Sequence, residues 1–179
     1  MKENAKWCKP LKIKGFRDFW RLAETMKRIL LTCHGNICRS PMAEMVFKHL
    51  LRQRGLTGFT VASAATSTEE IGNPIYPPAR AEMARHGIPV EKRGARQVTW
   101  SDYQAYDLLI GMDNANIRNM RRMLNGDPEG KIHRLMDFTN RPGEVDDPWY
   151  SDRFDLCYRD VLEGCEALLA YILEEAQHG

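Results

Sequence analysis

Hydrophobic positions along this chain switch repeatedly between two periods. Arg28 to Thr32 is a short apolar run, β-branched enough to predict a buried strand. Comparable runs at Thr60 to Ala64, Asp107 to Met112 and Lys131 to Met136 predict three more. Between them the spacing becomes helical. Met42, Met45, Val46, Leu50 and Leu51 predict a helix over 41–54, stopped by Gly55. Ser40 occupies the position expected of its N-cap, and Pro41 suits a first helical residue. Ala79 to His86, with Ala81, Met83 and Ala84 apolar, predicts a helix ending at Gly87. Thr99 to Gln104 reads as a short helix capped by Ser101. Asn114 to Leu124 reads as another, ended by the turn signal Asn125-Gly126-Asp127-Pro128. Asp152 to Ala176 predicts a long terminal helix offering Leu156, Val161, Leu168, Leu169 and Ile172 to the core. The stretch 69–78, with Pro74, Pro77 and Pro78, is left as a loop and a wall of any pocket.

Strands alternating with helices imply an α/β fold. The expectation is a single domain with a four-stranded parallel sheet, helices on both faces and right-handed crossovers. Ligands of such sheets bind at the carboxyl ends of strands. The chemistry is therefore sought just after the first strand, where the chain reads Cys33-His34-Gly35-Asn36-Ile37-Cys38-Arg39-Ser40-Pro41.

A loop from a strand end into a helix N-terminus gathers backbone N–H groups, and the helix dipole favours a dianion there. The same field, with an arginine beside it, lowers a cysteine's pKa by several units. Cys33 is thus the candidate nucleophile. Arg39 can grip two phosphate oxygens with its planar fork, as lysine cannot. The Ser40 hydroxyl can donate to the Cys33 sulfur. Gly35 allows close backbone approach, and Asn36 tolerates a left-handed turn. The plainer alternative is that Cys33 and Cys38 are ordinary buried cysteines. The strand before, the Gly-Asn within and the Ser-Pro after the loop favour the chemical reading.

The string CHGNICRSPMAE resembles the phosphate loop of low-molecular-weight protein tyrosine phosphatases nearly residue for residue. The resemblance continues at Ser63, at Ala95 to Thr99, at Gly111 to Asp113 and at Asp147-Pro148-Trp149-Tyr150, and spans the chain from about Met26 onward. It implies the family's three-layer, flavodoxin-like fold and hydrolysis of phosphotyrosine proteins and small aryl phosphates without a cofactor or metal. It implies Cys33 as nucleophile, Arg39 as phosphate ligand and Asp147 as general acid. Asn36, Ser40 and Ser63 would hold the loop in shape, with His34, Gly35, Ile37 and Cys38 completing the phosphate site. An acid is required in any case, because an alkoxide or phenolate leaves poorly unprotonated. The choice of Asp147 over Asp146 rests on the Asp-Pro match. Trp149 and Tyr150, beside that acid, can flank a phenyl ring or simply pack. A reversible Cys33–Cys38 disulfide and plain packing of Cys38 are both compatible with the spacing.

Three departures from the family pattern bear on substrate preference. Ala64 follows Ser63 where glycine is common, Glu69-Glu70-Ile71 replaces a rim aromatic of the animal members, and Arg93 falls where histidine is frequent. A protein-arginine phosphatase is the runner-up, but that branch carries threonine where this chain has Ile37. A thiol-dependent arsenate reductase needs resolving cysteines after mid-chain, and none lies between Cys38 and Cys157. An idle phosphate-binding module is opposed by the intact Cys33, Arg39 and Asp147.

Composition adds bounds. At 179 residues and net charge +2, nothing calls for nucleic acid or an anionic membrane. Five cysteines form no even framework, which fits a reducing compartment, and neither a transmembrane run nor a signal segment is visible. The expectation is a cytoplasmic protein, monomeric or weakly dimeric. His86, His133 and His178 lack ligand spacing, so no metal is expected. Residues 1–25 stand apart from the catalytic domain expected over 26–179. Ile13, Phe16, Phe19, Trp20 and Ala23 fall roughly on one helical face. They read as an upstream start or an added segment, or else as an amphipathic docking piece. The first reading predicts that deleting 1–25 leaves the thermal midpoint unchanged, as a calorimetric scan would show.

Overall fold

The computed structural model describes residues 27–178. The amphipathic pattern of residues 1–25 lies outside the described residues. β1 (Lys27–Cys33) is the hub of a four-stranded parallel sheet, with β2 (Phe59–Ala65) on one side and β3 (Leu108–Gly111) then β4 (Ile132–Arg134) on the other. Leu31 aligns with Ser63 on one neighbour and Ile110 on the other.

Successive residues of a strand point to opposite faces. Ile29, Leu31 and Cys33 enter the larger core, among Met42, Met45, Val46, Val161 and Leu168. Leu30 enters a second core with Leu109, Met120, Leu124 and Tyr103. The continuous apolar run of β1 is therefore a strand buried on both faces, as parallel sheets require. Each fully buried Ile or Leu contributes about 1.5–3 kcal/mol, against about 1 for a net hydrogen bond. Burial thus sets which residues face which layer. α1 (Arg39–Gln53) and α6 (Phe154–His178) cover the first face, with α2 (Pro77–Arg85) packed on α6. α3 (Trp100–Ala105) and α4 (Asn114–Met123) cover the second. The expected three-layer α/β domain is the observed one.

Several local expectations shift. Ser40 is not an N-cap, because α1 begins at Arg39 and its N-cap is Cys38, which supplies no side-chain cap. The Ser40 hydroxyl is instead committed to the loop. Pro41 still lies in the first turn, where no N–H is needed. Ser101 is inside α3; Thr99 caps it, with Asp102 completing a reciprocal capping box. The fourth strand stops at Arg134, and the chain turns into a short 3-10 helix at Leu135–Phe138. That turn presses on α6 at Gly164, where an added Cβ would lie 2.5 Å from Leu135 Cγ. A mid-helix glycine costs about 1 kcal/mol, and close packing is what it permits here. In α2, Ala79 and Met83 face inward while Ala81 and Ala84 are exposed. The Arg118, Arg121 and Arg122 side of α4 faces solvent, as its charge implies.

Three buried thiols line the seam of α1 and α6. Burial pushes the Cys38 thiol up to about 12, helped by Cys33 and Asp147 and opposed by Arg39. Burial raises Cys157 and Cys165 as well. Raised folded pKa values mean stability is intact below pH ~9 and lost as the unfolded thiols ionise above it, by about 1.4 kcal/mol per pH unit per thiol. Cys165→Ala should therefore shallow the fall in unfolding free energy between about pH 9 and 11 by about that slope. Denaturant titrations across that range check it, and an unchanged slope would contradict the assignment.

Candidate active site

The site is assembled where β1 ends and α1 begins. Cys33 closes the strand with its side chain almost fully buried, and Thr66 N donates to its carbonyl at 2.9 Å. The chain then reverses through Asn36, whose φ of 58° is left-handed, as the Gly-Asn pair implied. At Gly35 an added Cβ would sit 3.0 Å from Glu70 Cγ, so a side chain there would press on the wall of the loop.

Two donors aim at the Cys33 sulfur. Asn36 N lies 3.3 Å away and Ser40 Oγ 3.0 Å. The direction of the second bond follows from the network around it. Asn36 Nδ2 donates to Ser40 Oγ at 2.8 Å and to Ser63 Oγ at 2.9 Å. The Ser40 oxygen is thereby an acceptor, and its own proton is free for the sulfur. The Asn36 amide cannot flip, because its Oδ1 receives the Arg93 guanidinium and Arg96 N. Arg93 also donates to Ser63 Oγ, and Ser63 donates to the buried Glu44 carboxylate at 2.6 Å. Glu44 in turn holds Arg93 at 3.3 Å and Lys48 at 2.8 Å. Burial lowers the Arg93 pKa and the Glu44 charge works against that, leaving an arginine that stays protonated.

Arg39 carries the opposite wall. Its side chain is 4% exposed and its fork spans two carboxylates, Asp113 Oδ2 at 2.7 Å and Asp147 Oδ2 at 2.6 Å. Burial opposes its charge, but Cys33, Asp147 and Asp113 together outweigh that and raise its pKa. Asp113 acts twice, since its other oxygen caps α4 by accepting from Asn116 N at 2.7 Å. Asp147 caps the short helix α5 (Pro148–Ser151). Asp146 is turned to Arg153 at 2.6 Å and to Ser151, so Asp147 alone of the pair lines the pocket. The pocket encloses about 140 Å³ over Cys33, Arg39 and Cys38. Ile37, Trp149 and Tyr150 form its apolar lining, while His34, Glu69 and Glu70 stand at its mouth. Trp149 is 57% exposed and leans on Tyr76 at 5.6 Å, so it both packs and lines; Tyr150 is 86% exposed.

A family model described as "Low molecular weight phosphotyrosine protein phosphatase" matches residues 28–178. The Bacillus subtilis low molecular weight protein-tyrosine-phosphatase YfkJ is 38% identical over 155 residues, covering 85% of this chain and 99% of that protein. The Gallus gallus low molecular weight phosphotyrosine protein phosphatase is 37% identical over 153 residues, covering 82% and 96%. The crystal structure of YfkJ superposes with a TM-score of 0.79 over 84% of this chain and 96% of that one. That of the Drosophila arginine phosphatase DARP gives 0.74 at 29% identity, over 80% and 96%. The chain belongs to the low molecular weight protein tyrosine phosphatase family. It is a phosphatase of the hydrolase class.

All the residues singled out in the sequence of this phosphatase meet at one locus: the Cys33–Ser40 loop, Ser63 beneath it, and Asp147, Trp149 and Tyr150 across from it. Three partners of the site lay within stretches already noted, but without the contacts they make. Asp113 was noted only within a matching tripeptide, although an aspartate directly before a helical run is a legible cap. Glu44 closes the phosphate-loop string and Arg93 stands out as a departure from the family pattern, but their pairing left no local signal, because it joins residues 49 apart in the chain. Among the described residues no group of three or more potential ligands could hold a metal, and no helix is long and apolar enough to cross a membrane.

Arg93→Met strips a double donor from Asn36 and Ser63 and leaves Glu44 short of a partner. The expected loss is about 1–3 kcal/mol of stability, with kcat/KM falling because the Ser40 proton is no longer directed. Arg93→Lys keeps the charge without the fork and should recover only part of both. Denaturation and turnover of an aryl phosphate check this together.

Proposed function

We propose that this chain hydrolyses phosphotyrosine in proteins, and small aryl phosphates, through a phosphocysteine. The carrying observation is that Cys33, Arg39 and Asp147 line one small pocket, with the Arg39 fork 2.6 Å from the Asp147 carboxylate. The Cys33 thiolate attacks phosphorus, an S–P bond forms and the ester P–O bond breaks. Asp147 gives its proton to the departing phenolic oxygen. Water then attacks the phosphocysteine as Asp147 takes its proton back, releasing phosphate and the thiolate. Donors from Asn36 N and Ser40 stabilise the thiolate before its attack and ease the departure of the sulfur in the second step.

The Arg39–Asp147 contact gives the acid its timing. A phosphate dianion competes for the guanidinium nitrogen that holds Asp147, so its arrival frees that carboxyl to turn toward the leaving oxygen. The apolar lining of Ile37, Trp149 and Tyr150 suits a phenyl ring better than a charged guanidinium, which supports tyrosine over arginine as the phosphate carrier.

Matched phosphotyrosine and phosphoarginine peptides, each assayed with EDTA, decide the matter. Phosphotyrosine turnover should survive EDTA, vanish in Cys33→Ser, and fall about 10²- to 10⁴-fold in Asp147→Asn. A preference for phosphoarginine would overturn the substrate assignment. An Asp147→Asn enzyme of nearly full rate would overturn the acid. A single-turnover trap without phosphocysteine would leave only a phosphate-binding module.

A further inference from the structure

The mouth of the pocket carries charge that the reaction itself does not use. Glu69 and Glu70 both line it. Each is held in place, Glu69 by His34 Nε2 at 3.0 Å and Glu70 by Asn73 Nδ2 at 2.7 Å. Among the described residues neither is paired with a lysine or arginine, although Asp102, Asp107, Asp137, Asp146 and Asp160 all are. Asn73 brings no charge, and His34 brings one only when protonated. Deeper in the pocket, the single positive charge of Arg39 is already matched by Asp113 and Asp147. Among the described residues, the entrance therefore presents two held carboxylates whose charge no lysine or arginine cancels. Glu70 lies close on the phosphate loop, its Cγ 3.0 Å from where a Cβ on Gly35 would stand. A phosphate seated in the loop brings its peptide past these two groups.

We infer that Glu69 and Glu70 select phosphotyrosines flanked by lysine or arginine and disfavour acidic flanks. This rests on the phosphotyrosine reading above and names the substrate class within it. Opposite charges at the rim gain in proportion to how well they are held, and like charges brought against each other cost several-fold in association. Both carboxylates are held before the peptide arrives, so less side-chain freedom is lost on binding than at an ordinary exposed pair.

The test uses three phosphotyrosine peptides alike except for arginine, alanine or glutamate on both sides of the tyrosine. Each is assayed with the full chain at about 20 mM and about 300 mM salt, where screening lengths differ several-fold. The expected order of kcat/KM is arginine, alanine, glutamate, with the ends about tenfold apart at low salt and about two- to threefold apart at high salt. Glu69→Gln/Glu70→Gln should compress the low-salt spread to the high-salt value. A merely structural role for the two residues would instead change all three peptides by one common factor and leave the spread intact, which overturns the inference. So does a wild-type spread within twofold at low salt, a result that needs no variant to fold. Para-nitrophenyl phosphate is run alongside to separate the readings. Turnover of it and of all three peptides without a spread sinks only the selectivity. No turnover of any of them sinks the phosphatase reading and this one with it.

Discussion

The geometry of this site hangs on one amide. Asn36 occupies a left-handed turn that most residues avoid, and its side chain reaches down into the core. From there it fixes Ser40 and Ser63 with one end while Arg93 and the backbone of Arg96 pin the other. Every proton in this cluster has a single sensible direction once Arg93 is placed, and the last of them points at the Cys33 sulfur. A buried polar network of this kind is stabilising only when fully satisfied. Here it is, as no buried side-chain nitrogen or oxygen among the described residues lacks a partner. The loop's shape and the sulfur's surroundings are consequently the same fact.

The second wall works by sharing rather than by direction. Asp113 caps α4 with one oxygen and orients Arg39 with the other. A helix of the second layer is thus tied to Arg39 at the start of a helix in the first. Asp147 is likewise both the cap of α5 and a partner of Arg39. Helix capping is normally worth about 1 kcal/mol, too little to need a residue so placed. The placement answers instead to the guanidinium, whose planar fork must be held at two points to present its remaining donors to a phosphate.

How much of this the sequence disclosed follows the range of each interaction. The strands, the helix after the loop and the left-handed Asn36 are local matters of period and turn chemistry, and they were legible. So was the meeting of Cys33 with Arg39, since both lie within one turn of a single loop. Where Asp147 would land needed a family likeness, because its neighbour Asp146 is chemically identical and only the fold turns that one to Arg153. The errors were of competition between roles. Ser40 looked like a cap, but a hydroxyl already engaged by Asn36 and Cys33 cannot also serve the helix. Thr99 rather than Ser101 caps α3 because Asp102 stands three residues after Thr99 and answers it. The pairing of Glu44 with Arg93 was hidden for a different reason: a buried ion pair between distant segments has no period.

Exposure of charge differs across the pocket, and the difference constrains what the enzyme can accept. The Arg39 side chain is 4% exposed, Asp147 27% and Glu69 70%, with Glu70 half-buried. Arg39 already faces two carboxylates, so a dianion cannot rely on that guanidinium alone; the loop N–H groups and the N-terminus of α1 supply the rest. Those act only at short range, within about the first turn of the helix. Among the described residues lining the pocket, the carboxylates without a lysine or arginine partner are Glu69 and Glu70, both negative. On the reading proposed above, affinity for phosphate and guidance of the peptide come from different residues of opposite sign, so a change at the rim redirects substrate choice without touching the atoms that break the bond.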